Sequence, residues 1–196
     1  MNRPAPKCLA LLLALVTGDA AMAIEEPEYE VLADTPVYEI RRYEPYVVAE
    51  VDVQGESADS QGFRTLAGYI FGDNQSREKM AMTAPVESRE ADAKDAVTYA
   101  FVMENKYTLD TLPTPNNESI RIREKPSRIV AVRRFSGRWT EKNMAKHERE
   151  LLESLAKDGI DTSGAVELAR YNGPFTPWFL RRNELIVPVI WPPALP

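Results

Sequence analysis

The chain has 196 residues, of which 44% are hydrophobic and 28% are charged, and its formal net charge is −6. This length fits one globular domain that can bury a core of its own. The acidic balance disfavours binding to nucleic acid and to anionic membranes, since both require a cationic surface.

The first 23 residues have the features of a secretory signal peptide. Arg3 and Lys7 provide a cationic start, an apolar run follows over residues 8–16, and Ala21-Met22-Ala23 offers small residues at a cleavage site. The apolar run is too short to span a bilayer. We therefore expect an exported, periplasmic protein of a Gram-negative host. Cleavage would leave a mature chain that has no cysteine and a net charge of −7.

The first half of the mature sequence predicts four strands and one helix. Residues 24–36 are polar and acidic, and we expect a lead-in without regular structure there. Apolar residues at i, i+3, i+4 and i+7 from Phe63 to Ile70 predict a helix near residues 59–71, capped by Asp59 or Ser60. Alternating apolar residues and flanking turn signals predict strands. These strands run over residues 37–43, 47–53, 80–86 and 97–103.

The second half repeats this order after a linker rich in proline and asparagine at residues 113–117. A helix is expected over residues 140–157, with Thr140 as its cap and Gly159 at its end. Its apolar stripe comprises Met144, Leu151, Leu152 and Leu155. The strands predicted in this half run over residues 120–123, 129–135, 166–171 and 185–190.

The two halves also agree in spacing, which predicts an internal repeat. Ala49 lies six residues before Gly55, and Ala131 lies six residues before Gly137. One half cannot bury both faces of its sheet, whereas two halves packed face to face can. We predict an α+β fold built from a pseudo-symmetric, duplicated β-β-α-β-β unit, forming a distorted eight-stranded antiparallel β-barrel flanked by two helices.

Two stretches of sequence carry a specific resemblance. The first reads GYIFGDN at residues 68–74 and continues as KMAMTAPV at residues 79–86; the second reads YTLDTLPTP at residues 107–115, with RRNE at residues 181–184. In this combination the chain resembles the SOUL heme-binding protein family over residues 37–191. The resemblance implies a pseudo-symmetric α+β fold, heme or a related tetrapyrrole as a cofactor-like ligand, and no established catalytic residue.

The resemblance also implies a site, with the porphyrin lying against the first helix and under the loop before the last strand. A porphyrin is a flat apolar plate with two carboxylates, so it requires aromatic walls, small residues that allow close approach, and cations at its rim. Carried onto this sequence, the site comprises Phe63, Arg64, Ala67 and Gly68 on the helix and Phe175, Trp178, Phe179 and Arg181 in and after the loop.

The residues offer no strong iron ligand. His147 is the only histidine, and its position on the second helix indicates packing rather than ligation. Met80 and Met82 alternate in an apolar stretch, which is typical of core residues. Heme bound mainly by apolar contact would be held reversibly, at micromolar strength. We therefore predict heme as a reversible ligand, with an axial ligand that is weak or absent, and no metal site of the protein's own.

The same inventory disfavours catalysis. The mature chain has no cysteine nucleophile, no strained serine turn and no cluster of zinc-ligating residues. We predict a non-catalytic carrier or scavenger of a tetrapyrrole in the periplasm, without nucleic-acid binding and without a membrane span. Two alternatives stay open: a protein-interaction module, and an effector-binding domain for other hydrophobic small molecules on the same fold.

Overall fold

The computed structural model describes residues 24–55 and 57–192, so the predicted signal peptide lies outside the described residues. The two helices are α1 (Ala58–Ile70) and α2 (Glu141–Lys157). The strands are β1 (Tyr29–Asp34), β2 (Glu39–Tyr43), β3 (Tyr46–Gln54), β4 (Val86–Glu90), β5 (Ala96–Val102), β6 (Arg121–Lys125), β7 (Arg128–Phe135), β8 (Glu167–Arg170) and β9 (Asn183–Pro188).

All nine strands belong to one antiparallel sheet in the order β1-β2-β7-β9-β8-β4-β5-β3-β6. The sheet curls strongly, because Lys125 on β6 reaches Glu87 on β4 and Glu167 on β8, and neither strand pairs with β6. The α+β fold with a distorted antiparallel barrel and two helices is therefore confirmed.

The strand order also bears on the predicted repeat. The order from β2 to β6 is pseudo-symmetric. If β2, β3, β4 and β5 are exchanged with β6, β7, β8 and β9 in turn, the same strand order results, read in the opposite direction. The two units share one sheet, joined through β2–β7, β8–β4 and β3–β6, and the curl of this sheet brings their inner faces together in one core cluster. The duplication itself stays a prediction.

Two assignments along the chain are corrected by the structure. The acidic lead-in contains the edge strand β1, whose side chains are mostly exposed. The strand predicted at residues 80–86 is instead an irregular, partly buried segment, and β4 begins only at Val86. Of the two methionines expected in the core, Met80 is buried but Met82 is 37% exposed. That segment is held by single bonds to other parts of the chain: the Met80 amide donates to the Ile70 carbonyl, and the Thr83 hydroxyl donates to the Val102 carbonyl.

The helices form close to where they were expected. Thr140 caps α2 by accepting a hydrogen bond from the Asn143 amide at 3.3 Å, as predicted. At α1 the capping position is Ser57, which makes no side-chain cap bond, so the prediction of Asp59 or Ser60 is wrong. Asp59 instead accepts a hydrogen bond from the Tyr99 hydroxyl, which ties the first helical turn to β5.

Both helices lie on the same face of the sheet, which is the outer face of the curl. Leu66 and Ile70 of α1 pack on β3 and β5, while Leu151 and Leu155 of α2 pack on β7 and β9. A third cluster fills the inner face, with members from β2, β3, β5, β7, β8 and β9. The central strands β4 and β8 therefore carry no helix on their outer face.

Helix α1 approaches β5 at Gly62 so closely that a side chain is excluded. A Cβ atom built there would lie 2.6 Å from Tyr99 Cδ2, whereas one built at Gly68 would lie 4.0 Å from its nearest neighbour, Asp73. We expect Gly62→Ala to lower the free energy of unfolding by about 1–3 kcal/mol through overpacking. Gly68→Ala in the same helix should leave stability unchanged or raise it by about 0.5–1 kcal/mol. Urea unfolding of both variants checks this, and equal effects would contradict it.

Candidate ligand-binding site

A cleft of about 560 Å³ lies between the two helices on the outer face of the sheet. Met144 and Leu152 of α2 form one wall, and the first turn of α1 contributes Asp59 at the other. This volume lies within the range of small-molecule sites in proteins. Its apolar floor comes from the uncovered central strands and their neighbours, through Val97, Tyr99, Val166, Leu168, Leu185 and Val187.

A stack of aromatic rings and guanidinium groups closes one end of the cleft. The Arg170 guanidinium lies 5.5 Å from the Tyr99 ring centroid and 5.3 Å from that of Trp139. The Arg181 guanidinium lies on Trp139 at 4.2 Å. Arg170 also pairs with Asp59 at 3.2 Å, so β8 is linked to the start of α1. These contacts place flat, polarisable groups where the cleft meets the segment that follows β8.

That segment, residues 172–182, is named the aromatic loop here, and its apolar side chains are exposed. Phe175 is 99% exposed, Trp178 49% and Phe179 58%. The backbone is nevertheless fixed: the Arg181 guanidinium donates to the carbonyls of Pro174 at 2.7 Å and Thr176 at 2.9 Å. Exposed aromatic groups on a fixed loop are a prepared contact surface, because binding does not have to order them first.

The loop is also anchored to the turn between β7 and α2. The Gly137 amide donates to the Trp178 carbonyl at 3.0 Å. The Trp139 indole donates to Asn183 Oδ1 at 2.7 Å, which holds the ring that supports Arg181. Arg181 therefore acts within the protein as a brace for the loop, and its side chain remains partly exposed.

The helix side of the predicted site is half open. Phe63 is 46% exposed and packs edge-on against Phe101 of β5, with ring centroids 5.3 Å apart. Arg64 is exposed, and its Nε donates to the Ser60 carbonyl at 3.1 Å. Ala67 and Gly68 are partly buried, and the glycine that α1 needs for close packing is Gly62. Gly68 thus supplies space and not a helix–strand contact.

The helix residues and the aromatic loop lie on opposite sides of a short stretch of sheet. In register, Phe101 on β5 is the partner of Val86 on β4, which is the partner of Arg170 at the end of β8. Two strand spacings separate the first and last of these positions, or about 10 Å. The Phe63 ring packs on Phe101 at one end of this row, and the chain enters the aromatic loop soon after Arg170 at the other.

Beside its apolar cluster, the inner face of the sheet carries buried charges that pair with one another. Its four buried carboxylates, Glu50, Glu87, Glu167 and Glu184, each accept hydrogen bonds from at least one cationic side chain. Burial by itself would raise the pKa of Glu167, but hydrogen bonds from Arg128 and the charges of Lys125 and Arg128 lower this pKa to about 2. These paired groups leave the outer face as the open face of the sheet.

His147 packs as the sequence predicted. Its ring stacks on Phe135 with centroids 4.4 Å apart, and Nδ1 accepts a hydrogen bond from Arg133 Nε at 3.3 Å. Burial and the neighbouring Arg133 charge lower the pKa of this imidazole. His147 does not line the cleft between the helices.

The motifs that carried the resemblance serve largely to hold the fold together. Asn74 is buried and bridges the carbonyls of Tyr69 and Glu78 at 3.1 and 2.8 Å. In RRNE, Arg182 pairs with Glu26 and Glu184, Asn183 holds Trp139, and Arg181 braces the aromatic loop. These residues therefore hold the turn after α1, the aromatic loop and the start of the interior strand β9 in place.

Sequence reasoning missed Trp139 and Arg170. Trp139 stands directly before the α2 cap, and Arg170 ends a short strand, so neither belongs to an apolar period that marks a core or a site. Trp139 could have been noticed as an isolated tryptophan in a turn, because a buried tryptophan needs a hydrogen-bond partner for its indole N–H.

Neither helix of residues 24–55 and 57–192 is long and apolar enough to cross a membrane. Within the same residues, no group of three or more His, Cys, Asp and Glu side chains is arranged to hold a metal ion.

The chain is similar in sequence to proteins from vertebrates. It is 27% identical over 185 residues to heme-binding protein 2 of Homo sapiens, covering 84% of this chain and 90% of that protein. It is 26% identical over 160 residues to heme-binding protein 1 of Xenopus laevis, covering 78% and 83%.

The fold is shared with bacterial proteins of lower identity. A crystal structure of the EcmrR C-terminal domain superposes with a TM-score of 0.60 at 12% identity, covering 83% of this chain and 98% of that domain. A crystal structure described as a hydrolase from Listeria innocua gives 0.61 at 12% identity, covering 81% and 94%. At this identity the likeness concerns the fold alone. The family model described as SOUL heme-binding protein matches residues 24–188, and the chain therefore belongs to the SOUL heme-binding protein family.

Proposed function

We propose that this protein binds heme reversibly, with the porphyrin lying across the outer face of the sheet between α1 and the aromatic loop. The observation that carries the proposal is the aromatic loop itself, which presents Phe175, Trp178 and Phe179 on a backbone fixed by hydrogen bonds. Phe63 forms the opposite wall, about two strand spacings away. Family membership and the names of the relatives support heme as the ligand.

The charges near this surface are compatible with an anionic plate. Arg64 has no carboxylate partner in the described part of the chain, and Arg181 is ion-paired to none there either. Both can approach the propionate groups, which seek charge-assisted hydrogen bonds. Burying roughly 400 Å² of apolar plate contributes about 10 kcal/mol, and association costs on the order of 4–15 kcal/mol. The balance favours exchangeable, micromolar binding over permanent capture.

Such binding suits a carrier or scavenger without catalytic function. The apolar and aromatic groups around the surface hold a plate but provide no nucleophile paired with a base. Together with the signal peptide expected from the sequence, this supports a role in moving or sequestering tetrapyrroles in the periplasm.

N-terminal sequencing and cell fractionation test the periplasmic location. Protein with residues 1–23 intact in the cytoplasmic fraction would contradict it.

We expect Trp178→Ala to weaken hemin binding by about 1–3 kcal/mol, which is roughly a five- to 150-fold increase in Kd. The reason is the loss of a large flat contact that is already in place before binding. Hemin titration followed by Soret absorbance measures the change. In the unaltered protein, hemin should also quench Trp178 fluorescence.

Two matched variants serve as controls for the Trp178 experiment. Tyr29→Ala removes another partly exposed ring, but Tyr29 lies by register at the Arg128 end of β7, about 23 Å along that strand from Phe135. His147→Ala removes the only imidazole, which packs on Phe135. Both should leave hemin affinity within about twofold. A large loss of hemin affinity in His147→Ala and none in Trp178→Ala would show that the proposed site is on the wrong surface.

The cleft between the helices supports a second candidate, an effector domain for another hydrophobic small molecule. Its apolar floor and its volume of about 560 Å³ favour this reading. Leu152→Trp fills the cleft from α2 without altering Phe63 or the aromatic loop. Under the first proposal hemin affinity should stay within about twofold. A loss of hemin affinity of tenfold or more would show that hemin binds in the cleft instead.

A further inference from the structure

The exposed apolar surface of the aromatic loop extends beyond the predicted heme site. Phe175 is 99% exposed and Leu180, which lies outside the predicted heme site, is 65% exposed. The short helical turn Trp178–Leu180 directs successive side chains around the loop, and the Leu180 amide closes it on the Pro177 carbonyl at 2.9 Å. A cluster of large apolar side chains exposed on a fixed backbone marks an interaction surface.

The charges around this loop differ from those of the whole chain. The segments 134–140 and 171–183 contain four arginines and no aspartate or glutamate, although the chain carries a net charge of −6. The two segments touch through the Gly137 amide and the Trp178 carbonyl. Glu141 and Glu184 flank these segments and Glu26 pairs with Arg182, so this end of the molecule keeps only a small cationic excess, in contrast to the acidic whole chain.

Three of these arginines are available to an external anion. Arg182 is neutralised by Glu26 and Glu184. Arg134 and Arg138 are exposed and, within residues 24–55 and 57–192, neither they nor Arg181 form an ion pair with a carboxylate. The surface thus combines a protruding apolar tip with a cationic rim, and this combination defines its partner.

We infer that the aromatic loop docks on the surface of a phospholipid bilayer that contains anionic lipids. Phe175 and Leu180 enter the boundary between headgroups and acyl chains, Trp178 lies at the headgroup level, and Arg138 and Arg181 face lipid phosphates. Aromatic rings with a polar edge favour that level of the bilayer, and nearby cations are attracted to its negative surface potential. Apolar burial supplies the attachment and the charges orient it.

The inference is tested by co-sedimentation of the full chain, without hemin, with vesicles of phosphatidylcholine alone or mixed with phosphatidylglycerol. We expect binding to the mixed vesicles that weakens with added salt. Leu180→Asp should reduce the vesicle partition coefficient about tenfold or more, because it replaces an inserted apolar group by a charge. Vesicles should also shift the tryptophan emission to the blue, and Trp178→Phe should remove most of that shift while binding persists.

Val31→Asp is the matched control, since Val31 is an exposed apolar residue on the edge strand β1, away from the loop. It leaves the N-terminal residues 1–23 unchanged, as does Leu180→Asp, so the difference between the two variants reports on the loop. Equal vesicle binding by Leu180→Asp and Val31→Asp would overturn the inference. So would a monomer-to-dimer equilibrium that Leu180→Asp abolishes, because the loop would then be covered by a second copy.

Hemin titration of Leu180→Asp separates this inference from the proposed function. Hemin affinity should stay within about twofold, because Leu180 is outside the predicted heme site. If hemin fails to bind the unaltered protein, the proposed function fails and the vesicle result stands. If vesicles fail to bind while hemin binds, only the docking inference is overturned.

Discussion

Replacing Glu184 by alanine is expected to lower the free energy of unfolding by about 3–5 kcal/mol, because it removes the buried carboxylate that Arg41 and Arg182 share and leaves each with a single carboxylate partner, Glu39 and Glu26. Glu184 is fully buried and accepts hydrogen bonds from Arg41 at 2.9 Å, Arg182 at 2.9 Å and the Tyr171 hydroxyl at 3.0 Å. Arg41 is itself 2% exposed, so water cannot replace the lost carboxylate. Urea unfolding followed by circular dichroism measures the change.

The control for this experiment is an ion pair of the same kind on the surface. Glu30 accepts from Arg42 at 2.8 Å, and both side chains are largely in solvent. Glu30→Ala should change stability by less than about 1 kcal/mol, since exposed pairs gain little over hydration. If the alanine variant at Glu184 does not fold, Glu184→Gln keeps the shape and should cost about 1–3 kcal/mol. Equal stability of the Glu184 and Glu30 variants would show that the buried network is not needed.

The helices and most strands could be predicted because their apolar periods report directly on burial. In α2, the stripe of Leu151 and Leu155 marks the face that packs on β7 and β9. Edge strand β1 was missed although Tyr29, Val31 and Ala33 alternate, because this alternation is short, stands among acidic residues and belongs to a mostly exposed edge strand. The segment at residues 80–86 misled for a different reason: its apolar residues are only partly buried, and its backbone bonds to several elements instead of one neighbouring strand.

The inner face of the sheet was beyond sequence reasoning altogether. Glu87 and Glu167 come from β4 and β8, and Lys125 joins them from β6, so the pairing depends on how the sheet curls. Charged residues at alternate positions of a strand ordinarily indicate a solvated face. Only the closure of the sheet turns that face inward and makes the ion pairs part of the core.

The candidate site, too, could be predicted from the sequence only in part. The resemblance pointed to α1 and the aromatic loop, and the exposure of Phe63 and Trp178 is consistent with a wall on each side. Trp139 and Arg170, which line the cleft, owe their position to contacts between distant parts of the chain. No local pattern encodes a stack whose members lie on β5, β8 and two separate turns.

The buried ion pairs of the inner face should also make the stability of the protein sensitive to acid. Among their carboxylates, Glu167 gives the clearest test. The pKa of Glu167 falls from an ordinary 4.5 to about 2 in the folded protein, because hydrogen bonds from Arg128 and the charges of Lys125 and Arg128 outweigh the effect of burial. A lowered pKa means that the unfolded chain binds the proton first. The stabilisation is therefore fully present above pH 4.5 and is lost as the pH falls towards about 2.

We expect the protonation of Glu167 to account for about 3 kcal/mol of the free energy of unfolding that is lost at low pH. Glu167→Gln should remove this contribution from the pH profile of stability. The variant should be less stable than the unaltered protein at neutral pH, and the difference should shrink as the solution is acidified. Free energies of unfolding from urea titrations at a series of pH values measure the two profiles. Glu124→Gln, at an exposed position on β6 without an ion pair in the described part of the chain, should leave the profile unchanged. Parallel profiles for the Glu167 variant and the unaltered protein would show that acid acts through other groups.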